Sequence, residues 1–256
     1  MHFPVDITIG KAHIPVHFVC ETLAYAIGYR YYTYLRRRSH DSISDNSRMV
    51  IFVGAALGGF LGSHILGVLE KPDILSQMDW VYFMGNTTIV GGLLGGLIGV
   101  ELVKKLIGVT KSSGDIMVYP LILAMIIGRT GCFLAGLQDG TYGVATSLPW
   151  GVDFGDGIYR HPTNLYEILF WLLLWLILLN TERRHQFADG YRFKLLMISY
   201  LLFRFADEFI KPDYFFNFGL SSIQLACIAG ILYYYKVFTY PSKIITTHAR
   251  TSVHLL

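Results

Sequence analysis

Arg129 and Arg204 stand inside otherwise apolar runs of this chain, where a charge is costly and marks a functional hypothesis by default. Glu21, Arg30, His64, Glu167, Asp207 and Glu208 share that setting. Arg204 and Glu208 are spaced i,i+4, so they can form a self-contained pair. Arg129 has no acidic residue three or four positions away, so its charge must be met by another helix or by a ligand. A guanidinium presents forked donors that match phosphate oxygens. Two of them at one depth would clamp an anionic lipid head group, against the blander reading of two unrelated structural arginines. Glu167 has its own structural reading, as a brace or cap for a neighbouring helix, and Glu101 can simply pair with Lys105.

The elements that must hold these groups are membrane helices. Of 256 residues, 53% are hydrophobic and only 15% charged, and the mean hydropathy is +0.46. Seven segments have the roughly 20 apolar residues a spanning helix needs, at about 12–36, 49–69, 81–103, 115–136, 162–181, 190–210 and 221–239. No segment alternates polar and apolar as a barrel strand would. The expectation is an all-α polytopic protein, a single transmembrane domain over residues 1–256 with one external loop at about 137–161. The N-terminus lacks the basic start of a cleavable signal, so the first span is read as retained.

Basic residues fix the expected orientation. Fourteen fall in alternate connections and the tail, and only Lys11, Lys71, Arg160 and Lys211 on the other side. The N-terminus should therefore lie outside and the C-terminus in the cytoplasm. The mild basicity follows from that asymmetry and points to no nucleic-acid partner. At 1.5 Å per residue, Arg129 lies about 21 Å up its span from Asp115, with Arg204 at a similar height. Glu21, Arg160, His161 and Glu167 enter from the same outer side, so the charges converge on the outer half of the membrane.

Cys20, Cys132 and Cys227 are too few and too dispersed for a disulfide framework, and no cluster along the chain has metal-ligand spacing. Neither a metal nor a cofactor is expected. The repeated small residues of "GAALGGFLGS" and "GGLLGGLIG" call for close helix packing and need no further role.

Several stretches together resemble one family. "GRTGCFLAG" with a following "YG" that ends at Gly143, "LPWGVDF", "RHPTNLYE", "YLLFRFADEFIKPD", "LSSIQL" and the Asn86-containing "GNTTIVGGLLGG" are similar to the prolipoprotein diacylglyceryl transferases. The resemblance runs in order over nearly the whole chain. It implies an enzyme of the bacterial cytoplasmic membrane with its site toward the outer leaflet. Such enzymes move a diacylglyceryl group from phosphatidylglycerol to a cysteine thiol of an exported prolipoprotein and release glycerol phosphate. On that resemblance Arg129 is the signature arginine, Arg204 the second essential one after Tyr200, and Glu208 the carboxylate that follows it. His161, Tyr166 and Glu167 match the family's "RHPxxLYE", and Asn86 and Gly143 join the expected substrate-binding set.

Departures from the family pattern gather on the acceptor side. Val90 stands where the family has a histidine, Cys132 where it has an asparagine, Leu137 where it has a carboxylate, and Glu21 approximately where it has a span 1 tyrosine. The expectation is a phospholipid-dependent transferase, using phosphatidylglycerol or a similar anionic lipid, whose acceptor at the outer face is not the usual lipobox cysteine. One alternative is a lipid-binding or transport protein that kept the clamp and lost catalysis; another is ordinary prolipoprotein modification with a rearranged base. Without a histidine at 90, the candidate bases are Glu21, His64, His161 and Asp139. Glu21 is preferred, because burial would raise its pKa into a useful range. Asp139 comes second, and His161 is assigned to orienting its loop. Cys132 is read as a small buried thiol rather than a nucleophile.

Overall fold

The computed structural model describes residues 3–9, 12–39, 41–70, 79–211 and 215–246. The chain opens with a hairpin, β1 (Asp6–Ile9) against β2 (Ala12–Pro15), and turns directly into α1 (Val16–Arg38). α2 (Asp45–Leu69), α3 (Trp80–Gly85), α4 (Ile89–Leu106) and α5 (Val118–Ala135) follow. Beyond them a connection carries the two-residue pair β3 (Val152–Asp153) and β4 (Tyr159–Arg160). It leads to α6 (Thr163–Arg184), β5 (Gln186–Phe187), α7 (Tyr191–Asp207), α8 (Ser222–Tyr233), α9 (Tyr235–Thr239) and β6 (Ile245–Thr246). The protein is mostly helical, as expected.

Among the described residues, three helices are long and apolar enough to cross a membrane: Asp45–Leu69, Asp115–Asp139 and Thr163–Arg184. Ser222–Tyr233 is apolar but shorter. The remaining expected spans differ for local reasons. The first helix starts at Val16 because residues 12–15 pair in the hairpin. The third segment breaks at residues 86–88, between α3 and α4, where the Thr88 side chain accepts the Gly91 N–H and starts a new helix. That helix carries Glu101, Lys104 and Lys105 within its 18 residues. The last segment breaks at Tyr234. Large apolar side chains on α2 and α6, such as Leu57, Leu61, Leu169 and Leu176, face outward, as a hydrocarbon environment allows.

Two helix pairs set the geometry. α2 and α4 touch backbone to backbone, and a Cβ placed on Gly58, Gly62 or Gly95 would overlap a carbonyl of the facing helix. α1 and α5 approach nearly as closely, since a Cβ on Gly131 would lie 2.7 Å from Cys20 Cβ and 3.3 Å from His17 Cα. The core runs through α5, α6, α7 and α8, with Ile122, Trp171, Leu196, Tyr200, Leu201, Ile223 and Cys227 buried. Val90 is buried in the same core.

Candidate functional site

Of the charges expected to converge, Arg129, Glu167 and Arg204 are buried in that core, while Glu21 and Arg160 are not. Arg129 projects from α5, and its Nε lies 2.7 Å from Glu167 Oε2 on α6. The other carboxylate oxygen of Glu167 accepts from Trp171 Nε1 at 3.3 Å and from the Tyr200 hydroxyl at 3.2 Å. Glu167 therefore braces α5 and α7 at once. One turn after Tyr200, Arg204 Nη1 reaches Glu208 Oε2 at 2.6 Å and Asp207 Oδ2 at 3.2 Å. The i,i+4 pair is formed.

The network continues beyond the residues expected of it. Lys211, counted from sequence among external loop charges, is buried with its Nζ 3.7 Å from Asp207 Oδ2. Glu208 Oε1 accepts from the Ser221 hydroxyl at 2.7 Å, and Ser221 also forms a capping box with Gln224 at the start of α8. Three cations (Arg129, Arg204, Lys211) and three carboxylates (Glu167, Asp207, Glu208) thus share one buried region. Arg129's charge is met by a neighbouring helix, so a bound phosphate would share both arginines with carboxylates that hold them in place.

The connection between α5 and α6 is laced onto this core. Gly143 N–H donates to His161 O at 2.9 Å, His161 N–H to Val144 O at 3.1 Å, and Val144 N–H to Ile210 O at 2.8 Å. A side chain at 143 is excluded, because a Cβ there would lie 2.6 Å from His161 Cβ. Trp150 Nε1 donates to the Tyr166 hydroxyl at 2.8 Å, and that hydroxyl lies 3.1 Å from His161 Nδ1. His161 and Tyr166 are thereby tied to each other and to the loop. Thr163 donates to Thr141 O at 2.5 Å and fixes the first turn of α6 to the same connection.

The other candidates lie elsewhere. Asn86 Nδ2 donates to Tyr82 O at 2.7 Å, and His64 Nδ1 bonds carbonyls of Phe83 and Asn86, so both serve the α3–α4 break. The burial expected of Glu21 is absent: it is exposed on α1, and the argument that burial tunes it as a base does not apply. Asp139 follows α5, beside a histidine that sequence reasoning passed over. Its Oδ1 lies 3.2 Å from His17 Nε2, and its Oδ2 accepts from the Thr141 hydroxyl. Cys132 Sγ lies 3.8 Å from the same His17 nitrogen and accepts from Arg129 Nη1 at 3.7 Å. His17 and Cys132 are 115 positions apart, so spacing along the chain gave no sign of the group.

A cavity of about 730 Å³ sits at the other end of the helices among Gly92, Gly96, Lys104, Ser113, Phe193 and Tyr234. None of the buried network lines it.

A family model described as prolipoprotein diacylglyceryl transferase matches residues 4–240. A phosphatidylglycerol–prolipoprotein diacylglyceryl transferase of Clostridium tetani is 34% identical over 180 residues, 66% of this chain and 68% of its own. One of Bordetella parapertussis is 32% identical over 252 residues, covering 90% of this chain and 91% of its own. A third, of Nitratidesulfovibrio vulgaris, is 29% identical over 261 residues and 90% of each.

Proposed function

The chain belongs to the prolipoprotein diacylglyceryl transferase family, and from that premise we propose that it is a membrane-embedded transferase that takes a diacylglyceryl group from phosphatidylglycerol or a similar anionic phospholipid. Its acceptor, at the outer face, is a group other than the usual lipobox cysteine. The observation that carries this reading is the buried Arg129–Glu167–Tyr200–Arg204–Glu208 network, which presents two guanidiniums at one place in the bundle. The proposal includes one seven-span domain in the bacterial cytoplasmic membrane, with the N-terminus and site outside. Fourteen of the basic residues on the opposite side support that orientation.

In this reading the lipid phosphate docks on N–H groups of Arg129 and Arg204, while Glu167 and Glu208 hold the two side chains in register. The acceptor attacks the glycerol carbon, the carbon–oxygen bond to phosphate breaks, and glycerol phosphate leaves. Guanidinium contacts stabilise the charge that develops on the departing oxygen. Tyr166, Tyr200 and Gly143 shape the site, and His161 orients the loop above it. Asn86 acts at a distance, through the α3–α4 break. Asp139, held 3.2 Å from His17 Nε2, belongs to the acceptor side in this reading, and Glu21, which is exposed, does not act as its base.

Lipid binding without transfer is the second reading, and Val90, an apolar core residue where the family resemblance implies a histidine, favours it. Purified protein incubated with labelled phosphatidylglycerol and a membrane extract separates the two. Transfer predicts released glycerol phosphate and a labelled acceptor. Tight lipid binding with no release contradicts it. Failure to rescue a strain lacking the ordinary transferase is expected from the different acceptor, and rescue would return the lipobox cysteine to that role.

A further inference from the structure

His17, Cys132 and Asp139 come from the first turn of α1, the last turns of α5 and the turn after it, and their ligand atoms lie within 4.8 Å of one another. We propose that His17 Nε2, Cys132 Sγ and Asp139 Oδ1 form a binding site for a zinc-class divalent cation, with a further coordination position open to a thiol.

The distances suit that use. Tetrahedral zinc, with Zn–S about 2.3 Å and Zn–N or Zn–O about 2.0 Å, places its ligand atoms roughly 3.3–3.6 Å apart. Here the nitrogen–oxygen separation is 3.2 Å and the sulfur–nitrogen separation 3.8 Å. A mixed sulfur, nitrogen and oxygen set favours zinc over magnesium or calcium. The geometry also argues against a nucleophilic relay. In a relay the carboxylate holds the ring nitrogen opposite the nucleophile. In this protein sulfur and carboxylate both face Nε2, so the three groups converge on one point.

The surroundings hold the ligands ready. Close packing of Gly131 against Cys20 and His17 fixes α1 on α5, and the Thr141 hydroxyl orients Asp139 through its second oxygen. Arg129 lies 3.7 Å from Cys132 Sγ, but its charge is already paired with Glu167. A divalent ion with one thiolate and one carboxylate makes a neutral unit beside that pair.

The consequence rests on the transferase reading. A thiol acceptor bound at the open position would coordinate as thiolate, its proton passing to solvent. Its sulfur would then form the bond to the glycerol carbon as the carbon–oxygen bond to phosphate breaks. Metal would thus supply the activation that no histidine at position 90 can give.

The test reads binding without turnover. Full-length protein in detergent, stripped with chelator, is titrated with Co²⁺ alone and followed by absorption. The expected result is about one equivalent bound, with a near-ultraviolet thiolate-to-cobalt band that Cys132→Ser removes. Affinity should fall at least tenfold in His17→Ala and Asp139→Asn. Thermal melting of each variant, with the near-isosteric Cys132→Ser as reference, separates ligand loss from misfolding. No stoichiometric binding by the folded wild type overturns the site, as does binding that ignores all three substitutions. Cobalt binding without glycerol phosphate release would sink the transferase reading alone. Release that proceeds in folded protein without bound metal would sink the metal site alone.

Discussion

Arg129 Nε and Glu167 Oε2 meet at 2.7 Å between α5 and α6, both buried, in a chain whose outer surface suits lipid. A buried ion pair contributes little net stability, because desolvation offsets most of the attraction, yet removing one partner strands the other. The carboxylate's second oxygen, held by Trp171 and Tyr200, makes the pair a fixed mount for the guanidinium.

Glu167→Gln should therefore destabilise the protein by about 3–5 kcal/mol, and Arg129→Met together with Glu167→Leu by clearly less. Denaturant unfolding in detergent checks the comparison. Equal or greater loss in the double variant would show that the pair itself is the stabilising element.

Gly62→Ala pushes a methyl into the Gly91 carbonyl across the α2–α4 contact, whereas Gly128 has open space around it. The first substitution should cost about 1–3 kcal/mol and Gly128→Ala should leave stability nearly unchanged. Melting temperatures of the two variants, measured side by side, decide it.

Asp41, in the connection between α1 and α2, gives an expected pH dependence. Burial alone would raise its pKa, but hydrogen bonds from Arg48, from the Ile43 N–H and from Arg36 carry it below the ordinary carboxylate value. A depressed folded pKa means stability present above the unfolded value of about 3.9 and lost as pH falls through the folded value. The gap between wild type and Asp41→Asn should thus be full near neutrality and close below about pH 4. A gap independent of pH across the acid range would contradict the assignment.

Tyr166→Phe removes the hydroxyl that joins Trp150 to His161 while keeping the ring. Turnover should fall about tenfold, the equivalent of one well-placed hydrogen bond or slightly more, with stability little changed. Unaltered turnover would remove the loop from the account.

How much of this was legible before the fold depends on how each contact is spaced. Arg204 and Glu208 lie one turn apart, so helical periodicity alone pairs them. Arg129 and Glu167 sit on different helices, and sequence could say only that a partner had to come from elsewhere. His17 was passed over because its relation to Cys132 exists only through the α1–α5 packing. Glu21 has the right residue type one turn further along, but on the exposed side. Hydropathy located the helices Asp45–Leu69 and Thr163–Arg184 well. It read through the break at residues 86–88, because an apolar average does not register a Thr88 cap or the turn it begins.

The central claim is that Arg129 and Arg204 grip the donor's phosphate. Its most direct measurement is glycerol phosphate release from labelled phosphatidylglycerol by wild type, Arg129→Ala and Arg204→Ala, each shown to be folded. The account predicts release by wild type and a loss of about a hundred- to a thousandfold in either variant, as expected for removing a principal transition-state contact. Wild-type turnover retained by a folded Arg129→Ala protein would contradict it.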